Sequence, residues 1–102
     1  MNAFEQTRLN LRPIFPPQIT VQEIIGLLSS TNPTNRIRSL RAFDVYRLTT
    51  IHQMQNNNIL LPTSNLLGIM VSRNWSTEPP EVKRIYKRLA LETKAFLINH
   101  GN

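Results

Sequence analysis

Apolar and polar residues alternate with the period of an α-helix in four stretches of this 102-residue chain. The first stretch begins with Thr20 and Glu23, whose Thr-x-x-Glu order is typical of a helix start because each side chain can bond the other residue's backbone N–H. The apolar residues that follow share one helical face: Val21, Ile24, Ile25 and Leu28. The pattern predicts a short amphipathic helix, followed by a turn-rich linker over residues 29–35.

Three further helices are predicted in the second half of the chain, at residues 40–55, 64–75 and 79–99. Ser39 is the expected N-cap of the first of these, and Thr77 is the expected cap of the last. Their inward-facing stripes include Phe43, Tyr46, Thr50 and Met54, then Leu67, Met70, Val71 and Trp75, then Val82, Tyr86, Leu89, Thr93 and Phe96. Since no strand pattern of convincing length is present, the fold class predicted is all-α, with Trp75 buried against Phe43 or Tyr46.

The first 17 residues show no sustained period and end in "RPIFPP". We interpret them as a loose or extended leader, with Ile14 and Phe15 as the side chains able to reach the core. Charged residues interrupt this leader and prolines close it, so it lacks the apolar core of a signal peptide. No apolar run reaches the roughly 20 residues of a membrane span. The expectation is a soluble, intracellular protein with no membrane association.

The charge balance favours a polyanionic partner. Twelve Lys and Arg against six acids give a formal net charge of +6 and a pI near 10.9. For a small domain this excess favours nucleic acid or an anionic surface, although solubility alone is a simpler explanation.

Catalysis finds no support in the residues. There are no cysteines, no glycine-rich phosphate loop and no cluster of metal ligands. Glu23, Glu78 and Glu81 are interpreted as helix caps or dipole partners, and His52 as an ordinary helix residue. We therefore expect a protein that is not an enzyme and that has no cofactor, metal or small-molecule substrate.

Three motifs in register resemble a high-mobility-group (HMG) box, most closely the fungal mating-type sort. They are "RSLRAFDVYR" at residues 38–47, Trp75, and "EVKRIYKRLA" at residues 81–90. The resemblance covers residues 35–100 and leaves residues 1–34 as an N-terminal leader with a short helix. It implies a three-helix, L-shaped domain with an extra N-terminal helix, whose concave face occupies the DNA minor groove.

The resemblance also implies which residues meet double-stranded DNA, in a minor groove expected to be A·T-rich. They are Arg36, Arg38, Arg41, Phe43, Asp44, Arg47 and Asn65. Lysines of the last helix would add longer-range attraction: Lys83, Lys87 and Lys94.

Asp44 departs from the family pattern. It stands where the family places an apolar wedge between bases, and a carboxylate cannot stack there. Arg41 replaces an asparagine that reads the groove, and arginine can still enter a narrow A·T-rich groove. We expect that this protein kinks DNA little, binds it weakly, or has acquired another role. A simpler interpretation of Asp44 is an acid suited to the first helical turn.

Two functions of different classes follow. The first is a nuclear DNA-binding protein of HMG-box type, acting as a transcription regulator or architectural factor. The second is a protein-interaction module that keeps the fold without strong DNA binding, and that docks a partner such as another HMG-box protein through the apolar helix at residues 21–28. A helix-turn-helix DNA binder shares the charge argument but does not account for the match around Trp75.

Overall fold

The computed structural model describes residues 2–31 and 40–100, which contain five α-helices and no β-strand. The helices are α1 (Ala3–Leu11), α2 (Val21–Thr31), α3 (Ala42–Asn56), α4 (Ser64–Thr77) and α5 (Pro80–His100). The all-α class predicted from the sequence is confirmed. None of these helices is both long enough and apolar enough to cross a membrane.

The three long helices lie close to their predicted positions, with differences at their ends. α3 begins after Arg41, which has an extended backbone, while the predicted cap Ser39 lies outside the described residues. Thr77 does not cap α5, so that prediction was wrong. It is the last residue of α4, and its hydroxyl donates to the carbonyl of Asn74 at 3.0 Å. α5 instead starts at Pro80, where a missing N–H costs no helical hydrogen bond.

α2 carries the predicted capping box. The Thr20 N–H donates to the Glu23 carboxylate at 2.9 Å, and the Glu23 N–H donates to the Thr20 hydroxyl at 3.1 Å. The helix continues to Thr31. Residues 29–31 are therefore helical, although they were predicted to belong to a linker. Ser29 is accommodated because its hydroxyl donates to the carbonyl of Ile25 at 2.9 Å.

The leader is not loose or extended over residues 3–11, where α1 forms. Asn2 caps this helix by accepting from the Glu5 N–H at 2.8 Å, and Leu11 at its other end is buried. Ile14 and Phe15 were expected to reach the core, but both are exposed.

The helices share one hydrophobic core. α3 packs on α5 and α4, α2 contacts both α3 and α5, and α1 lies on α4. Leu11 and Ile24 belong to the same buried cluster as Val45 and Val71, so the described part of the leader is built into the fold. The division of the chain at residue 34 into two domains stays a prediction.

An aromatic cluster joins α3, α4 and α5. The Tyr46 ring lies 5.0 Å from the Trp75 ring and 5.1 Å from the Tyr86 ring, measured between centroids. Phe43 meets Trp75 at 6.3 Å with the two planes at 66°. Trp75 contacts both aromatic residues of α3, as predicted, but it is only partly buried. Such tilted and edge-on contacts are the favourable geometries for aromatic pairs, and they fix the three helices relative to one another.

Candidate nucleic-acid interface

The start of α3 presents two arginines and one acid to solvent. Arg41 precedes the helix with three-quarters of its side chain exposed, and Arg47 is exposed one turn beyond Asp44. Positions three apart are neighbours on a helix surface, so Asp44 and Arg47 share a face. Val45 and Tyr46 are buried, which directs this face away from the core.

Asp44 has a structural role at the helix start. Its carboxylate accepts from the Arg41 N–H at 2.8 Å and lies 3.4 Å from the Arg41 Nε. In the contact between the two side chains, Arg41 is the donor and Asp44 the acceptor, because arginine has no acceptor atom. The acid satisfies a backbone donor at the positive end of the helix, and at the same time it offsets the charge of Arg41.

Phe43 lies at the edge of the core. Its ring is half-buried against Trp75 and packs on the hydrophobic cluster. It therefore orients the first turn of α3, and with it Asp44, relative to α4.

Asn65 lies apart from the α3 residues. It is exposed in the first turn of α4 and lines an open groove along that helix. The other residues lining the groove also belong to α4: Ser64, Gly68, Ile69, Ser72, Arg73 and Ser76. The structure thus brings Arg41, Asp44 and Arg47 together at one helix start and places Asn65 in a different groove. Arg36 and Arg38 lie outside the described residues.

Two arginines on the α1 side of the molecule share one acidic partner. Arg8 pairs with Glu5 at 2.7 Å and donates to the side-chain oxygen of Asn74 at 2.8 Å. Arg73 contacts the same Glu5 at 3.4 Å, and its guanidinium carbon lies 5.3 Å from the centre of the Phe4 ring. Glu5 thus offsets one of the two positive charges in this group.

The free positive charge lies on α3 and α5. Within residues 2–31 and 40–100, no carboxylate forms an ion pair with Arg47 or with the outer basic residues of α5: Arg84, Lys87, Arg88 and Lys94. Lys83 differs, because its Nζ lies 5.5 Å from the centre of the Trp75 ring. A polyanion would therefore meet uncompensated cations on these two helices.

Glu78 forms a buried network that the sequence did not predict. Its carboxylate accepts from Arg12 Nε at 2.9 Å, from Arg12 Nη2 at 2.7 Å, and from the Tyr46 hydroxyl at 2.6 Å. The expected role of Glu78 as a simple cap or dipole partner was incomplete, since this side chain ties the leader to the aromatic cluster. Arg12 and Glu78 are 66 residues apart, so no local pattern connects them.

The network determines the protonation states of Glu78 and Tyr46. Burial by itself raises the pKa of Glu78, but the hydrogen bonds from Arg12 and Tyr46 outweigh it and hold the pKa below its ordinary value. Burial and the adjacent carboxylate raise the pKa of Tyr46. Tyr46 therefore keeps its proton and acts as a donor, while Glu78 remains ionised.

Comparison with protein-family models, with curated proteins and with solved structures finds no match for this chain. Among the described residues, no three His, Cys, Asp or Glu side chains are grouped so that they could hold a metal ion. His52 pairs with Glu23 at 3.0 Å, which gives it a structural partner on α2.

Proposed function

We propose that this chain is a DNA-binding protein of the HMG-box type, with residues 35–100 forming the L-shaped domain. The observation that carries the proposal is the aromatic cluster of Phe43, Tyr46, Trp75 and Tyr86. These residues belong to the motifs that resemble the family, and their packing leaves the basic start of α3 exposed. The role proposed is that of a nuclear transcription regulator or architectural factor.

Binding would begin with the cations at the start of α3. Arg41 and Arg47 contact phosphates and the edge of the minor groove, with Arg36 and Arg38 on the chain leading to them. Each phosphate neutralised releases condensed counterions, so the affinity depends steeply on salt. Narrow A·T-rich grooves carry enhanced negative potential, which favours arginine there.

Asp44 limits the bending of the duplex. An apolar wedge gains stacking contacts that offset the unstacking of one base step, whereas aspartate offers no such surface. Its charge also repels nearby phosphates. The protein therefore binds a straight duplex with little kinking.

An interaction module without strong DNA binding is the second candidate, and the carboxylate at the wedge position favours it. The apolar face of α2, which was expected to dock a partner, packs within the chain itself. Ile24 on α2 is fully buried, and the helix packs against α3 and α5. This candidate therefore requires a docking surface other than the apolar face of α2.

Salt-dependent binding with paired variants tests the proposal. Fluorescence anisotropy with a labelled A·T-rich duplex gives the slope of log affinity against log salt. Replacing Arg41 and Arg47 by Gln is expected to reduce that slope by about two, at roughly 0.9 for each phosphate that the protein no longer neutralises. The control, with Arg84 and Arg88 replaced by Gln, removes the same charge from α5 and leaves the slope near the parent value. Equal slopes for the two variants would contradict an interface at the start of α3.

A further inference from the structure

α5 has a second face, which points to solvent. Positions 84, 88, 91, 95 and 98 are spaced alternately by four and three residues and so form one stripe along the helix, and all five are exposed. In the C-terminal half of the helix this stripe is apolar. It consists there of Leu91, Ala95 and Ile98, with Leu91 54% and Ile98 76% exposed.

The stripe is independent of the core. The opposite side of α5 buries Val82, Tyr86, Ala90 and Thr93, the side on which the helix meets α2 and α3. An amphipathic helix needs one apolar stripe to attach to its own domain. A second stripe with two large apolar residues is not required for that attachment.

Charged residues surround the stripe asymmetrically. Arg84 and Arg88 continue it towards the start of the helix, and Lys87 and Lys94 lie along one flank. Glu92 lies on the other flank. In the described part of the chain none of these four cations is paired with a carboxylate.

We propose that this stripe is a docking surface for an amphipathic, acid-rich helix of another protein. Leu91 and Ile98 contact the apolar face of that helix, and its carboxylates meet Arg88, Lys87 and Lys94. The pairing is similar to a short coiled-coil contact, in which flanking charges select the partner.

Charge complementarity distinguishes this occupant from a second copy of the chain. In a parallel pair of copies, Arg88 would face Arg88 across the seam, and in an antiparallel pair the Lys87 and Lys94 flanks would face each other. Like charges in such positions disfavour association. A helix whose acids lie on the side facing Lys87 and Lys94, away from Glu92, meets no such repulsion.

The proposed docking surface is separate from the DNA-binding surface. Arg47 and Asp44 lie on the exposed side of α3, whereas Leu91 and Ile98 lie on the side of α5 that points away from α3. Experiments can therefore test the two proposed surfaces independently of each other.

The probe is a designed, fluorescein-labelled helical peptide of three heptads, with Leu at the seam positions and Glu on the flank that faces Lys87 and Lys94. Its binding to the full chain is measured by anisotropy. The variant with Leu91 and Ile98 replaced by Ser is expected to bind at least about tenfold more weakly, since one buried Leu or Ile contact is worth roughly that factor. The control, with exposed Ile59 and Leu60 replaced by Ser, keeps the parent affinity. Circular dichroism verifies that both variants remain folded.

A charge exchange tests whether Lys87 and Lys94 contact the acidic residues of the peptide. Lys87→Glu with Lys94→Glu is expected to abolish binding of the Glu peptide and to create binding of a matched peptide with Lys on its flanks. The Leu91 and Ile98 variant keeps the DNA affinity and salt slope of the parent chain, which separates this result from the proposed function.

Three results would overturn the proposal. The first is peptide binding that does not change when Leu91 and Ile98 are replaced. The second is self-association of the chain in sedimentation equilibrium that depends on these two residues, which would identify a second copy as the occupant. The third is binding to vesicles of anionic lipid that depends on them while the peptide does not bind.

Discussion

The side chain of Glu78 is 2% exposed, whereas that of its partner Arg12 is 51% exposed. Removing one partner therefore has a different consequence from removing the other. Without Arg12, a buried charge keeps a single side-chain donor, Tyr46. Without the charge of Glu78, Arg12 can still be hydrated.

We expect Arg12→Met to lower the free energy of unfolding by about 3 kcal/mol, the lower end of the usual cost of leaving a buried charge without its partner. Glu78→Gln should cost about 2 kcal/mol, because the amide oxygen still accepts hydrogen bonds but the amide NH2 cannot accept from Arg12. Urea unfolding followed by Trp75 fluorescence measures both. Arg84→Met serves as the control and should change stability by less than about 0.5 kcal/mol. A larger cost for Glu78→Gln than for Arg12→Met would contradict this description of the network.

The same carboxylate predicts a pH dependence. The folded pKa of Glu78 lies below its ordinary value of 4.5, so ionised Glu78 stabilises the native state above that pH. This contribution disappears as the pH falls below 4.5 towards the folded pKa. The difference in unfolding free energy between the parent chain and Glu78→Gln should be constant from about pH 7 to pH 5 and then shrink. Glu5 and Glu23 are present in both proteins and cancel in the difference; a constant difference down to acid pH would exclude the mechanism.

Asp44 gives a prediction that separates its two roles. Asp44→Ile removes the acceptor for the Arg41 N–H and should lower stability by about 0.5–1 kcal/mol. The same change supplies a stacking surface, so DNA affinity and bending should both increase, the bending being read by energy transfer between dyes at the ends of a short duplex. Asp44→Asn is the control: it removes charge but adds no wedge, so affinity rises without more bending. If Asp44→Ile changes neither quantity, this face does not meet DNA.

At the scale of elements, α1 is attached by polar contacts. The buried side chain of Asn74 accepts from Arg8 Nη1 and donates to the Arg8 carbonyl, both at 2.8 Å. Leu11, at the end of α1, is the residue of this helix that is fully buried. The attachment of α1 thus depends strongly on a small number of hydrogen bonds.

Asn74→Ala should cost about 2 kcal/mol, because it removes two hydrogen bonds of a buried side chain. Amide hydrogen exchange over residues 3–11 should accelerate more than exchange in α3, since α1 can open locally. Asn65→Ala, an exposed change on the same helix as Asn74, is the control and should leave exchange unaltered. Equal acceleration in α1 and α3 would show that α1 does not open separately.

The elements that the sequence predicted well are those with strong apolar periods. Phe43, Tyr46, Trp75 and Tyr86 were placed in the core from spacing, because burial of large apolar faces determines where long helices pack. α1 was missed because its docking depends on Arg8 and on partners far away in the chain. The extension of α2 beyond residue 28 was missed because serine and threonine are weak helix formers.

Within the candidate site, local geometry was predictable and distant geometry was not. Arg41, Asp44 and Arg47 lie on one helix start, so their proximity follows from helical spacing alone. Asn65 lies on another helix, and its position relative to these residues depends on how α3 and α4 pack.

For the whole molecule, charge distribution matters more than net charge. The chain carries +6, but Glu5 and Glu78 offset two of the three positive charges of the arginines near α1. The unpaired cations lie on two different helices, α3 and α5. We propose one partner for each helix, DNA at the start of α3 and an acidic helix on α5.

The chain is proposed above all to bind DNA as an HMG-box protein whose wedge position is occupied by Asp44. A protein that bends DNA poorly should bind more tightly to DNA that is already bent, because the few kcal/mol of unstacking need not be supplied on binding. The decisive measurement is anisotropy titration of one protein sample with a four-way junction and with an A·T-rich duplex at matched salt. We predict tighter binding to the junction, and a smaller difference between the two DNAs for Asp44→Ile. Equal affinities for junction and duplex, or no binding to either, would contradict this proposal.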